Sequence, residues 1–402
     1  MMEPKSRSGL LLIAMAYLSF VSLGLPDGLL GVAWPSMRAS FGLPLDALGG
    51  LMVMFTVGYL ASSFSAGRLL ARMSAGILLA VSCLATSASL IGYSVAPSWW
   101  IVVALGVVAG LGAGAIDAGL NTFAATHFSA RTVNWLHASY GVGTTSGPMI
   151  MTGVMGAGLA WRWGYAVVGF GQLALAVCFA STRRLWTDGR ETRDQVSAPS
   201  APAASAGATL RLPVAWLSVA VFFIYCGIEA TAGAWSYTLF TESRGVPMKT
   251  AGTWVSIYWG SFTAGRIISG LMAGFASDTK LLRLCIIGVA LGALLLWLDL
   301  SDLVSFAGLA LMGIALAPVF PTLIATTPGR LGATHTANGV GFQIAAAALG
   351  LSLLPTFAGL MADRFGLEII GPVLFASAAL LLVLFETLII ASRLRSHETS
   401  TI

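Results

Sequence analysis

The chain has 402 residues, 57% hydrophobic and 9% charged, with a mean hydropathy of +0.87. Soluble domains carry about 25% charged residues, so this composition excludes a soluble globular protein. The net charge of +5 resides in Lys and Arg near the ends of apolar runs, a distribution that fits a membrane chain and excludes a nucleic-acid binder.

A helix needs roughly 20 consecutive apolar residues to cross a bilayer. Polar breaks divide the chain into twelve such runs, at 10–33, 46–68, 74–95, 99–125, 134–158, 163–182, 213–239, 250–274, 281–299, 303–327, 337–361 and 368–392. The expected fold class is an all-α membrane protein of twelve transmembrane helices. The first run follows Lys5 and Arg7 and is longer than the roughly 7–15 residues of a signal-peptide core, so it reads as a retained span. It contains Gly24-Leu25-Pro26-Asp27-Gly28, where proline removes an amide donor and opens the backbone beside an acid. Trp34 follows Asp27 at i+7, on the same face.

The fourth run carries Asp117, with Asn121 one turn on. The fifth carries His137, whose face it shares with Gly141, Thr144, Thr145 and Pro148. After the sixth comes 183–212, rich in Arg, Ser, Ala and Pro, which reads as a flexible cytoplasmic linker between a bundle at 1–182 and another at 213–402. In the seventh run, Glu229 stands where Asp27 stands in the first, with Gly233 and Trp235 following. Tyr258 lies in the eighth run, and Asn338 and Gln343 in the eleventh. Glu386, near the end of the twelfth, is expected to reach water and is left out of the site.

Two correspondences point to duplication. Ser65-Ala66-Gly67-Arg68 matches Thr263-Ala264-Gly265-Arg266 at an offset of 198, and Asp27 matches Glu229 at 202. With both termini and the linker inside, 16 of the 21 Lys and Arg fall on the cytoplasmic side and 5 outside, as the positive-inside bias requires.

Ionisable groups within a span are costly and functional by default. Asp27, Asp117, Glu229 and Glu386 lie inside runs, and no Lys or Arg lies well inside one. An acid there can take up and release a proton as water reaches it, which is what a proton-coupled carrier needs. We expect Asp27 and Asp117 to couple protons, and Asn121, His137, Glu229, Trp34, Trp235, Tyr258, Asn338 and Gln343 to bind solute. Cys83, Cys178, Cys226 and Cys285 show no metal-ligand or disulfide spacing. No HExxH, GxSxG or P-loop is present, so no enzyme activity, cofactor or metal is expected. The expected partners are a small polar solute, protons and the bilayer, with the chain acting as a monomer. An efflux antiporter for amphipathic drugs or metabolites is the alternative within this class, and a non-transporting sensor the alternative outside it.

Along its whole length the chain resembles the major facilitator superfamily, and within it the fucose:proton symporter-like family. The resemblance is carried by Asp27 with a downstream proline, Gly-x-Ile-Asp117-x-x-x-Asn121, Asn134-x-x-His137-x-x-x-Gly141 through Pro148, and Gly227-x-Glu229-x-x-x-Gly233-x-Trp235. It implies two pseudo-symmetric six-helix bundles working by alternating access. It also implies roles in sugar binding and proton coupling for Asp27 and Asp117. The superfamily signature after the second span is reduced to Gly67-Arg-Leu-Leu-Ala71-Arg72, with Ala71 in place of its aspartate.

Overall fold

The structure, a computed structural model, describes residues 7–186, 204–271 and 277–400. All regular elements among the described residues are helical. The first six long helices are α1 (Arg7–Phe41), α2 (Leu48–Arg72), α3 (Ala75–Val95), α4 (Trp99–His127), α5 (Ala130–Gly156) and α6 (Trp161–Thr182). A short α7 (Ala206–Leu210) precedes α8 (Pro213–Thr238), which runs on into a π-helical turn at Leu239–Ser243. The chain continues through α9 (Met248–Leu271), α10 (Asp278–Leu298), α11 (Asp302–Leu316), α12 (Val319–Ala325), α13 (Thr327–Leu331), α14 (Ala333–Phe365) and α15 (Ile370–Ser400).

Each of the twelve apolar runs meets helix, and two deviate from a plain span. The first is unbroken over 35 residues despite Pro26 and Pro35, so the opened backbone expected at Asp27 is not a helix break. At about 52 Å it exceeds the roughly 30 Å hydrocarbon core. The tenth is divided into α11, α12 and α13, with Pro318 at the first break. Proline has no amide to donate and its ring clashes with the preceding turn. Ten helices among the described residues are long and apolar enough to cross a membrane. Helices α5 and α9, of 27 and 24 residues, are long enough but rich in glycine, serine and threonine.

The helices of the first half pack α1 along α5, α2 along α4, and α3 against α4 and α6. Lipid supplies no hydrophobic drive for helix association, so close backbone approach at small residues has to hold them. A Cβ at Gly110 of α4 would lie 1.9 Å from the Phe55 carbonyl oxygen of α2, and one at Gly58 of α2 would lie 2.1 Å from that of Val107. In the second half, Gly292 of α10 and Gly308 of α11 face each other's carbonyls in the same way.

Contacts gather the chain into two units, residues 1–190 with 233–263, and residues 191–232 with 264–402. The C-terminal part of α8, the π-turn and most of α9 thus group with the first six helices.

The described ends of 183–212 are ordered, which corrects the expectation of a wholly flexible linker; residues 187–203 lie outside the described ones. Arg183–Trp186 forms a 3-10 turn whose Trp186 is fully buried, with ring centroids 4.8 Å from Phe123 and 5.0 Å from Phe179. Ser205 caps α7 by accepting from the Ala208 amide, and the Ala204 amide donates to the Thr334 carbonyl. Low complexity in the sequence concealed a tryptophan anchor and a helix cap. Truncating a buried aromatic costs about 3–5 kcal/mol. We therefore expect Trp186→Ala to lower the melting temperature of the purified protein sharply, whereas Leu185→Ala, at a more exposed neighbour, should not.

Candidate functional site

In the first unit, close approach of helices brings two carboxylates to two phenols. Gly24 and Gly28 of α1 lie directly against the α5 backbone around 140–147, and there the Tyr140 hydroxyl donates to Asp27 Oδ2 at 2.6 Å. Gly114 of α4 lies against the Tyr59 carbonyl of α2, and the Tyr59 hydroxyl donates to Asp117 Oδ2 at 2.5 Å. Asn121 Nδ2 donates to Asp117 Oδ1 at 2.8 Å, the contact that the i, i+4 spacing predicts. Tyr59 interacts electrostatically with both Asp117 and Asp27, and His137 with Asp117. The His137 ring also sits edge-on to Phe20, 5.2 Å between centroids.

These six side chains, from α1, α2, α4 and α5, form one polar set. Asp27 and His137 are solvent-accessible, while Asp117, Asn121, Tyr59 and Tyr140 are half-buried. A carboxylate that accepts from a phenol and keeps an accessible oxygen can hold a proton or accept from a solute hydroxyl. Sequence reasoning missed Tyr59 and Tyr140. Tyr140 was detectable, since it lies one turn from His137 within a quoted motif.

The same unit contains a second tight layer, at the C-terminal end of α1. Arg38 Nη2 of α1 pairs with Glu242 Oε2 of the π-turn at 2.7 Å. Below it, a Cβ at Gly31 would lie 2.3 Å from the Gly233 carbonyl oxygen, and one at Gly252 would lie 1.9 Å from Thr152 Oγ1. Trp34, expected to offer an aromatic platform to solute, is instead fully buried, its ring 5.5 Å from Trp99. Trp235 and Tyr258 are fully buried too, Tyr258 against Trp259 at 5.0 Å. For Trp34, the spacing that placed the ring on a polar face did not reveal the aromatic partner on another helix.

In the second unit Glu229 is 7% exposed. It interacts with Tyr225 one turn earlier and with Cys226, and Arg266 of α9 acts on the same two residues. Arg266 thus acts on the same neighbours as an acid that the sequence placed without a basic residue nearby. Asn338 and Gln343 do not join a common face. Asn338 Nδ2 donates to the Ala204 carbonyl at 2.7 Å and to Thr209 Oγ1 at 3.3 Å, tying α14 to the segment around α7. Gln343, fully buried, accepts from Thr327 Oγ1 at 3.1 Å. Both are engaged in bracing the fold. Glu386 is held by Arg283 through two contacts of 2.5 and 2.7 Å and is partly exposed.

Long apolar helices joined at small-residue crossings, with acids within the spans, define a polytopic membrane protein. The sequence model of the Major Facilitator Superfamily matches residues 16–355, and the chain belongs to that superfamily. The mouse sodium-dependent glucose transporter 1A is 22% identical over 385 residues, covering 87% of this chain and 89% of its own. The human sodium-dependent glucose transporter 1 is also 22% identical, over 388 residues, covering 86% of this chain and 73% of its own. Among solved structures, the nucleoside transporter NupG superposes with a TM-score of 0.76 at 12% identity, over 94% of this chain and 99% of that one. The D-xylose-proton symporter does so with a TM-score of 0.69 at 14% identity, over 92% and 97%. These two likenesses concern the fold.

Proposed function

We propose that this transporter is a secondary active carrier that brings a sugar or similar small polar solute into the cell together with a proton, by alternating access. The observation that supports the coupling is the pair of intramembrane carboxylates, Asp27 and Asp117, each accepting a hydrogen bond from a tyrosine hydroxyl. The sugar-transporter relatives support the solute class. In this reading residues 1–182 and 213–402 are the two moving halves, both termini and the linker face the cytoplasm, and the monomer resides in the inner membrane. Asn121 and His137 beside Asp117, with Glu229 in the second unit, are the solute-binding candidates retained.

Sodium coupling is the second reading, favoured by the sodium dependence in the relatives' names. The two are separated in proteoliposomes given either an inward proton gradient or an inward sodium gradient, with labelled glucose, xylose and fucose outside. We expect concentrative uptake under the proton gradient and its collapse with a protonophore. Uptake driven by sodium alone would transfer the coupling role to that ion, and proton-driven solute exit would favour the efflux antiporter.

A further inference from the structure

Two charged residues of the second unit, the buried Glu229 and the half-buried Arg266, point to how the solute is selected. Helices α8 and α9 both reach the end of α11, where the tenth span breaks. The Tyr225 hydroxyl of α8 donates to the Leu316 carbonyl at 3.1 Å. On α9, a Cβ at Gly265 would lie 2.7 Å from both the Ile314 carbonyl oxygen and the Ala317 Cβ. Tyr225 and Arg266 therefore stand at one level of the unit, with Glu229 one turn beyond Tyr225. Their joint electrostatic action on Tyr225 and Cys226 agrees with that placement.

A guanidinium stays charged in any protein environment, and its planar fork matches a carboxylate or phosphate. Held half-buried among packed helices, it would be an anion-binding centre unless a charge of the chain itself occupied it. A carboxylate as enclosed as Glu229 has the reciprocal need, because a buried charge is tolerated only when paired. We propose that Glu229 is a specificity-determining residue: by balancing Arg266 from within the chain, it makes the carrier accept uncharged sugars and reject those bearing a carboxylate or phosphate. This rests on the sugar-transport reading above.

The test uses the purified full-length protein and matched probes that differ by one carboxylate: glucose with glucuronate, and galactose with galacturonate. Binding is read as a concentration-dependent rise in melting temperature. Wild type is expected to bind a neutral member at least about tenfold more tightly than its uronate. Glu229→Gln keeps the shape and removes the charge, and should gain at least about tenfold in uronate affinity over wild type. Glu229→Ala makes the same measurement if the Gln variant does not fold. The double variant Glu229→Gln/Arg266→Gln should lose that gain. Wild type binding a uronate as tightly as its neutral partner would overturn the proposal, as would a folded Glu229→Gln or Glu229→Ala protein with unchanged uronate affinity. Absence of any neutral-sugar response in wild type is a different result: it tells against sugar as the solute, while the gain or its lack in the variants still decides the role of Glu229.

Discussion

An Asp27→Asn protein is expected to exchange solute across the membrane and yet fail to concentrate it. The carboxylate accepts from Tyr140 through Oδ2, and the residue keeps accessible surface. Asparagine retains the shape and one accepting oxygen but holds no exchangeable acid proton, so it mimics the protonated state permanently. If Asp27 carries the coupling proton, counterflow should remain within a few-fold of wild type while the accumulation ratio falls to about one, as a carrier with no linked proton can only equilibrate. Asp117→Asn is the companion experiment. Its two oxygens are already taken by Tyr59 and Asn121. Full proton-driven accumulation by both variants would remove the pair from the coupling step and direct attention to Glu229 and His137.

Gly31→Val is expected to abolish transport by a purely steric route. The atoms that a Cβ there would meet are backbone, the Gly233 carbonyl oxygen at 2.3 Å and the Ala234 Cα at 3.2 Å, so no flexible side chain can yield. Helix α1 must then stand away from α8, and Arg38, two turns further along α1, is carried away from Glu242. We expect uptake to fall by at least about tenfold, since overpacking at a tight contact forces the backbone to shift. Gly67→Val serves as the control, because no atom lies within 4 Å of the position a Cβ would take, and it should transport normally. Normal uptake by a folded Gly31→Val protein would show that this contact is not needed at any stage of the cycle.

The helices were legible because membrane spanning is a one-dimensional constraint, met by a run of apolar residues regardless of its neighbours. What lies across from a side chain is not written in its own helix. Trp34 shares a face with Asp27 by spacing, but the residue opposite it is Trp99, so the ring serves packing. Tyr59 and Tyr140 read as ordinary apolar filler until neighbouring helices set their hydroxyls against carboxylates. Arg266 counts among the cytoplasmic charges in the sequence because the Thr263-Ala264-Gly265-Arg266 motif reads as the end of its span. A long side chain can project its charge well away from its own Cα, and here it reaches the level of Tyr225. Asp117 with Asn121 was recoverable because both partners lie on one helix, whereas the partners of Asn338 lie more than a hundred residues away and could not be read from its own helix.

The shortage of apolar residues in α5 and α9 bears on how the chain enters the membrane during synthesis. A segment of ordinary hydropathy leaves the insertion machinery for lipid unaided, whereas these two carry many hydroxyls and glycines. Several hydroxyls of α5 are turned back onto its own carbonyls, those of Thr144 and Thr145 both onto that of Gly141. That lowers the cost without removing it. Each helix does, however, follow its partner in the order of translation. Helix α1, against which α5 packs, is made first, and α5, whose Thr152 meets Gly252, is made before α9. Insertion of the polar helices is then a docking event onto protein already in place, and moving either one ahead of its partner by circular permutation should strand it outside the bilayer.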